Sequence, residues 1–326
     1  MLPLKICKFL TDIKAVAPFY HTVSNEHLPH IQHLYNYNSI DKFEKAIDYF
    51  LLYYSPVTLQ YLIKMVKENI KPEKPLFFLS FDDGLREFYD IIAPILLKKG
   101  VPATCFLNSS FIGNQKLFYR YKASVLIDKL HNSKSNLLWQ QYHKWQNKNE
   151  LNQGYYRKVI LTINYNRQSL LDELAIMLDV NFDEYLVREK PYMHEDQIRE
   201  LIKKGFTFGA HSLDHPDYRS LSLNIQLQQT TESINEIKKK FSLDYAAFSF
   251  PFTDFNVTRS FFYQLKDRGN IDLSFGSAGL KKDSINWNIQ RIPMEESSLS
   301  ARKRLKRDYL YYMMKAPLGK NKINRY

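Results

Sequence analysis

The chain has 326 residues, is 44% hydrophobic and 25% charged, and carries a formal net charge of +12. That length and apolar content fit one large α/β domain or two modest ones, and they exclude a disordered chain. Two cysteines, Cys7 and Cys105, with no CxxC pair, argue against a disulfide framework or a thiolate zinc site and read as lone buried thiols.

Along the chain, Met1 to Phe19 scatters Lys5, Lys8, Asp12 and Lys14 among short apolar pieces, with no continuous stretch of secretory length. Ala15 to His21 reads as a first strand, and Asp41 to Phe50 has helical spacing through Phe43, Ile47 and Phe50. The uncharged run from Tyr49 to Ile63 is broken by Ser55, Pro56, Thr58 and Gln60 and falls short of the about 20 apolar residues of a spanning helix. The expectation is a cytoplasmic protein without export signal or membrane span.

Pro75 to Phe81 is a continuous apolar run bounded by Pro75 and Gly84, the pattern of a buried strand. Leu85, Phe88, Ile92, Ile95 and Leu96 then follow helical spacing up to Gly100, and Val101 to Leu107 is the next strand. From about residue 115 to 190 the alternation breaks. Asn and Gln crowd this stretch around Trp139 and Trp145, which reads as a helical insertion, either shaping a substrate groove or partner surface or serving as a decorated loop.

Glu195 to Lys204 is a short helix stopped by Gly205, followed by a strand from Phe206 to Ala210. A long helix has its buried stripe on Leu223, Leu227, Thr230, Ile234, Ile237 and Phe241. Tyr245 to Phe250 is a strand ending at Pro251, Phe261, Phe262 and Leu265 mark a further helix, and Ile271 to Phe275 is a late strand. Alternating strands and helices argue for parallel strands with crossover helices, and in an α/β barrel the residues just after the strands build the site.

The last segment, 301–326, holds nine Lys or Arg against one acid, Asp308, and so contributes +8 to the net charge. This basic tail, interleaved with Tyr309, Tyr311, Tyr312, Met313 and Met314, reads as a solvated last helix, as a peripheral membrane or acidic-glycan contact, or as a nucleic-acid grip. Nucleic acid is the least favoured of the three and is not expected as a partner.

Two short segments carry chemistry. Asp82 and Asp83 end the apolar run Phe77-Phe78-Leu79-Ser80-Phe81, and Gly84 allows the turn that leans both carboxylates toward one site. His211 and His215 follow the strand that ends at Ala210. Either segment alone is common turn punctuation or a satisfied histidine pair. Together they offer one carboxylate and two imidazoles for a metal with positions left open, and a spare carboxylate for proton transfer, the kit for metal-assisted hydrolysis.

Ser80-Phe81-Asp82-Asp83-Gly84 with His211-Ser212-Leu213-Asp214-His215-Pro216 resembles the polysaccharide deacetylase family, carbohydrate esterase family 4 with its NodB-homology domain. The resemblance runs from about Pro18 to Met294 apart from the insertion. It implies a distorted TIM-like barrel of about seven β/α units, spanning residues 1–300 with the insertion at about 115–190 and the basic tail at 301–326. It implies Asp82 as catalytic base, Asp83, His211 and His215 as ligands of a divalent metal (usually zinc), and an N-acetylated glycan as substrate. The family takes an oxyanion-stabilising N–H from the aromatic residue after a proline, which in Phe248-Ser249-Phe250-Pro251-Phe252 is Phe252.

The chain departs from the family pattern at three points. Ser249 stands where an Arg usually orients the base, no D-x-x-D-W segment is evident, and Arg291-Ile292-Pro293-Met294 has no His to serve as acid. Either activity is lost or the acid lies elsewhere. One branch, the biofilm poly-N-acetylglucosamine deacetylases, carries it on the N-terminal strand, and Phe19-Tyr20-His21-Thr22-Val23 is similar to that segment, which makes His21 the candidate acid. The leading expectation is a metal-dependent hydrolase removing N-acetyl groups from a sugar in a polysaccharide, oligosaccharide or precursor. The alternatives are a non-catalytic glycan-binding protein on the same fold or a different non-peptide amide hydrolase.

Overall fold

The computed structural model of the chain describes residues 4–149, 151, 154–268, 271–295 and 299–326. Eight short strands form one sheet in the order Asn288–Gln290, Leu273–Gly276, Ala247–Ser249, Thr207–Ala210, Thr104–Leu107, Ser80–Phe81, Pro18–Tyr20 and Ile292–Pro293. Every neighbouring pair is parallel. Their side chains are buried on both faces in most strands, as helices outside and a packed interior require.

The two outermost strands of that order are consecutive in the chain, with only Arg291 between them. Asn288–Gln290 pairs with Leu273–Gly276, and Ile292–Pro293 pairs with Pro18–Tyr20 on the opposite edge. One short segment therefore bonds to both edges and closes the sheet into a distorted TIM-like barrel. Counted as one bent strand, it makes the seventh of the barrel, in agreement with the expected seven-unit fold.

Two predicted strands are each interrupted. Ala15–Val16 and Leu76–Phe77 belong to a separate three-stranded sheet with Ser55–Pro56, whereas their continuations Pro18–Tyr20 and Ser80–Phe81 join the barrel. The two chains stay in step across the break, with Ala15 opposite Leu76 and Phe19 opposite Ser80. Pro18, which has no N–H to donate, stands where the ladder changes sheets.

The helices form where capping and apolar spacing coincide. Ser39, Thr58 and Thr258 cap Ile40–Tyr53, Leu59–Lys67 and Arg259–Asp267 by accepting backbone N–H bonds. Leu223–Phe241 buries Leu227, Thr230, Ile234, Ile237 and Phe241 as its spacing predicts. Gly100, at φ +66°, ends Ala93–Lys99 in the left-handed conformation that a glycine takes without strain.

The expected insertion is a set of helices, chiefly Tyr119–His131, Asn136–Lys148, Ser169–Met177 and Phe182–Glu189. It has a core of its own, with Tyr121, Leu126, Trp145, Leu171, Leu174 and Tyr185 buried in one cluster.

The segment 301–326, expected as a basic tail with a solvated last helix among its readings, does form that helix, and it is built into the fold rather than left as a tail. Ala301–Lys315 packs on Leu4–Thr11 and Ile40–Tyr53, burying Leu305, Tyr309 and Tyr312, and the Tyr309 hydroxyl donates to Ile13 O at 3.1 Å. Lys322–Ile323 pairs with Lys282–Asp283 and carries Arg325 inward to a buried contact with Asp254 and Asp283. Apolar residues at helical spacing outweighed the charge between them. No helix among the described residues is long and apolar enough to cross a membrane.

Candidate active site

The site lies at the ends of the barrel strands. Asp82 and Asp83 follow Ser80–Phe81, the two histidines follow Thr207–Ala210, and Phe252 follows Ala247–Ser249. Positive φ marks Asp83 (71°), Ser212 (68°), His215 (62°) and Phe252 (56°). Non-glycine residues rarely adopt that conformation, and its clustering here is strain held by the barrel around it. Thr253 N bonds to Pro251 O at 2.6 Å, so Phe252 occupies the apex of a tight three-residue turn.

Asp83, His211 and His215 converge, all buried, with one donor atom from each within 4.8 Å of the others. Asp83 Oδ1 lies 3.5 Å from His211 Nε2 and 3.3 Å from His215 Nε2. That oxygen accepts no hydrogen bond among the described residues. His211 Nδ1 donates to Ser249 O at 2.8 Å, which turns its other nitrogen toward Asp83. Burial, only partly offset by Asp82 and Asp83, lowers the His211 pKa to about 4, so its imidazole is neutral at pH 7. Burial opposes ionisation of Asp83, but the charges and hydrogen bonding of the neighbouring histidines outweigh it and hold the carboxyl well below the usual range. An ionised Asp83 carboxylate and a neutral His211 imidazole, with the His215 ring beside the same orphaned oxygen, make a donor set that fits a divalent metal.

Asp82 does not face the triad alone. Arg291 grips it with both arms, Nη1 to Oδ1 at 2.8 Å and Nη2 to Oδ2 at 2.7 Å. The same guanidinium donates to Ser80 Oγ, Ser249 Oγ and Gly276 O, and it stacks over Phe19 with 4.2 Å to the ring centroid. Burial raises the Asp82 pKa, but Arg291 and the nearby histidines bring it below the ordinary value. Asp82 is thus held by an Arg from the seam of the barrel, while the third motif places the small Ser249, whose hydroxyl accepts from that same Arg.

His21 faces the same cavity. Its Nδ1 lies 2.7 Å from Glu295 Oε2, and the His21 and Thr22 backbone N–H groups both donate to Glu295 Oε1 at 2.9 Å. Burial disfavours the imidazolium, but Glu295, with smaller contributions from Asp83 and Asp82, raises its pKa to about 9. His21 is therefore protonated at neutral pH, with Nε2 left for another partner.

The cavity that joins these groups has a volume of about 310 Å³, with Phe19, Tyr35, Phe118 and Phe252 among its walls. The Phe252 ring packs edge-on to His215 at 4.6 Å, and among the described residues nothing accepts the Phe252 N–H. A larger cavity, about 580 Å³, lies along the seam and includes none of the triad. The insertion reaches the site directly. The Phe118 ring lies 4.4 Å from His215, and the Tyr121 hydroxyl donates to Asp83 Oδ2 at 2.7 Å.

All six residues singled out in the sequence (His21, Asp82, Asp83, His211, His215 and Phe252) line this one cavity. Sequence reasoning missed Arg291, Glu295 and Tyr121. The segment from Arg291 to Met294 holds no histidine, and its arginine carries no motif of its own. A period of two would have placed Arg291, Pro293 and Glu295 on one face, and all three line the cavity. Nothing local to Tyr121 announces its role.

A sequence model of the family described as Polysaccharide deacetylase matches residues 69–266. Three solved structures share the fold at low identity. The Streptococcus pyogenes deacetylase PplD in complex with acetate is 14% identical with a TM-score of 0.57, covering 91% of this chain and 98% of that one. IcaB from Ammonifex degensii is 13% identical with a TM-score of 0.55, over 91% and 97%. A de-N-acetylase from Aggregatibacter actinomycetemcomitans is 14% identical with a TM-score of 0.52, over 89% and 99%. No curated protein sequence gives a significant match.

Proposed function

The chain belongs to the polysaccharide deacetylase family, hydrolases of carbon–nitrogen bonds other than peptide bonds, and we propose that it removes N-acetyl groups from an N-acetylated sugar with the help of a divalent metal. Two imidazoles and one carboxylate, from His211, His215 and Asp83, suit zinc. When bound, such a metal polarises the acetamido carbonyl and acidifies the attacking water.

The chain's own residues do the remaining work. Asp82, kept ionised by Arg291, accepts a proton from the attacking water. The Phe252 N–H, with no acceptor among the described residues, donates to the oxyanion as it forms. His21, its Nδ1 engaged by Glu295, gives the proton on Nε2 to the leaving nitrogen. A carboxyl held below its usual pKa beside an imidazole raised to about 9 is a base and an acid, each in its working state at neutral pH.

The observation that carries this reading is the shared cavity: Asp82, His21 and the three candidate metal ligands Asp83, His211 and His215 line the same volume of about 310 Å³. The test is acetate release from N-acetylated oligosaccharides by metal-loaded protein, with a chelator and Asp82→Asn as controls. Full metal occupancy without acetate from any member of a broad glycan set would sink it.

The glycan is reached at a membrane surface in this reading. Arg302, Lys303 and Arg307 are exposed on Ala301–Lys315, and the adjoining helix Leu4–Thr11 exposes Phe9 and Leu10. Exposed basic and apolar side chains on two helices that pack together support peripheral contact with anionic lipid. Sedimentation with anionic but not neutral vesicles is the expected result, and equal partitioning with both removes the idea.

A further inference from the structure

The insertion brings a charged side chain to the cavity for which the mechanism above has no use. Arg120 stands in Tyr119–His131 between two residues committed to the site: Phe118 lies on His215, and Tyr121 donates to Asp83. Arg120 lines the same cavity and is half-buried. One bond steadies it, Nη1 to Leu161 O at 2.8 Å.

The other charged groups of the cavity answer one another. Arg291 is held by Asp82, His21 by Glu295, and Asp83 faces His211 and His215. Among the described residues no carboxylate pairs with Arg120. A guanidinium carries five donors in a planar fork that matches carboxylate or phosphate with two parallel bonds. Here Arg120 borders a cavity walled by Phe118, Phe252 and Tyr35, whose rings suit the apolar faces of a sugar.

We propose that the substrate is an anionic N-acetylated sugar, whose carboxylate or phosphate is gripped by Arg120 while its acetamido group lies over Asp83, His211 and His215. This rests on the deacetylase reading and narrows it from N-acetylated sugars in general to acidic ones. It also gives the insertion a task, because Arg120, Tyr121 and Phe118 arrive together on one stretch of chain.

The experiment compares N-acetylglucosamine with N-acetylglucosamine phosphate and N-acetylmuramic acid, the last two separating phosphate from carboxylate. Full-length wild type, Arg120→Gln and Arg120→Lys are assayed for acetate release when metal-loaded, and for binding of the same sugars by calorimetry when metal-free. Wild type is expected to favour at least one acidic sugar by about tenfold or more in kcat/KM, mostly through KM, with a preference that shrinks as salt is raised. Arg120→Gln should bring the acidic-to-neutral ratio to about one, and Arg120→Lys should keep part of it. Melting temperature and metal stoichiometry show whether each variant is folded.

If wild type treats neutral and acidic sugars alike, or if Arg120→Gln keeps the preference, the inference is overturned and the deacetylase reading stands. If none of these three sugars releases acetate, the broad glycan set named above tests that reading separately. The calorimetric arm then decides this one, and equal binding of acidic and neutral sugars overturns it.

Discussion

Arg291 and Asp82 are 209 positions apart and meet in a buried two-armed pair, with oxygen–nitrogen distances of 2.8 and 2.7 Å. Replacing Arg291 by Met leaves Asp82 a buried, uncompensated carboxylate. Loss of one partner from such a pair costs about 3–5 kcal/mol. Denaturant unfolding should show a loss of that order, and acetate release should fall by about a hundredfold or more even where the variant is folded and binds metal. Undiminished turnover in Arg291→Met would show that Asp82 needs no such partner.

The His21–Glu295 pair predicts a basic limb in the pH profile. In the proposed mechanism His21 acts as acid while protonated, so kcat/KM should decline as pH rises through about 9. Glu295→Gln removes the charge that raises that pKa, and the limb should move down by about one to two pH units. His21→Ala should lose about a hundredfold or more in kcat. The linkage has a matching sign. A pKa raised in the folded state stabilises the fold fully below the unfolded value of about 6.5, and that stabilisation is lost as pH rises through about 9. Wild type minus Glu295→Gln stability, measured across this window, should shrink toward alkaline pH.

Tyr121→Phe deletes only the hydroxyl that donates to Asp83 Oδ2. Partners of metal ligands tune affinity by about 10- to 100-fold. Competition with a chromophoric chelator should therefore show weaker metal binding in this variant. Asp83→Asn, His211→Ala and His215→Ala should each lower the bound metal much further. Unchanged affinity in Tyr121→Phe would leave the insertion without influence on the metal.

Arg325 stands between Asp254 and Asp283, all three buried, with Asn288 and Gln290 donating to both carboxylates. Arg325→Met leaves two buried acids facing each other. A stability loss of about 3–5 kcal/mol is expected. A melting curve that matches wild type at neutral pH would contradict this.

The two histidines and two aspartates were legible because each pair is local: adjacent or four apart, directly after a strand, with the backbone turn written into Gly84 and Pro216. Arg291 and Glu295 were not, because their roles arise only when the barrel closes. Glu295 meets a histidine 274 positions away. Their strand is two to three residues on each side of Arg291, too short for alternation to register as a signal. Ala15 to His21 read as one strand for a similar reason. Its apolar pattern is continuous, and only the identity of its neighbours changes at Pro18. The charge of the last segment misled in the other direction, since Leu305, Tyr309 and Tyr312 decided where the helix goes.

The segment that bonds both edges of the sheet also carries the arginine that grips Asp82, the proposed base. A chain whose first and last strands have yet to meet holds its carboxylate unaimed, so hydrolytic competence arrives together with ring closure and not before. Turnover is for that reason a readout of whether the cylinder is complete, and damage to the weld at residues 288–293 will silence the enzyme while the histidine side of the cavity stays intact.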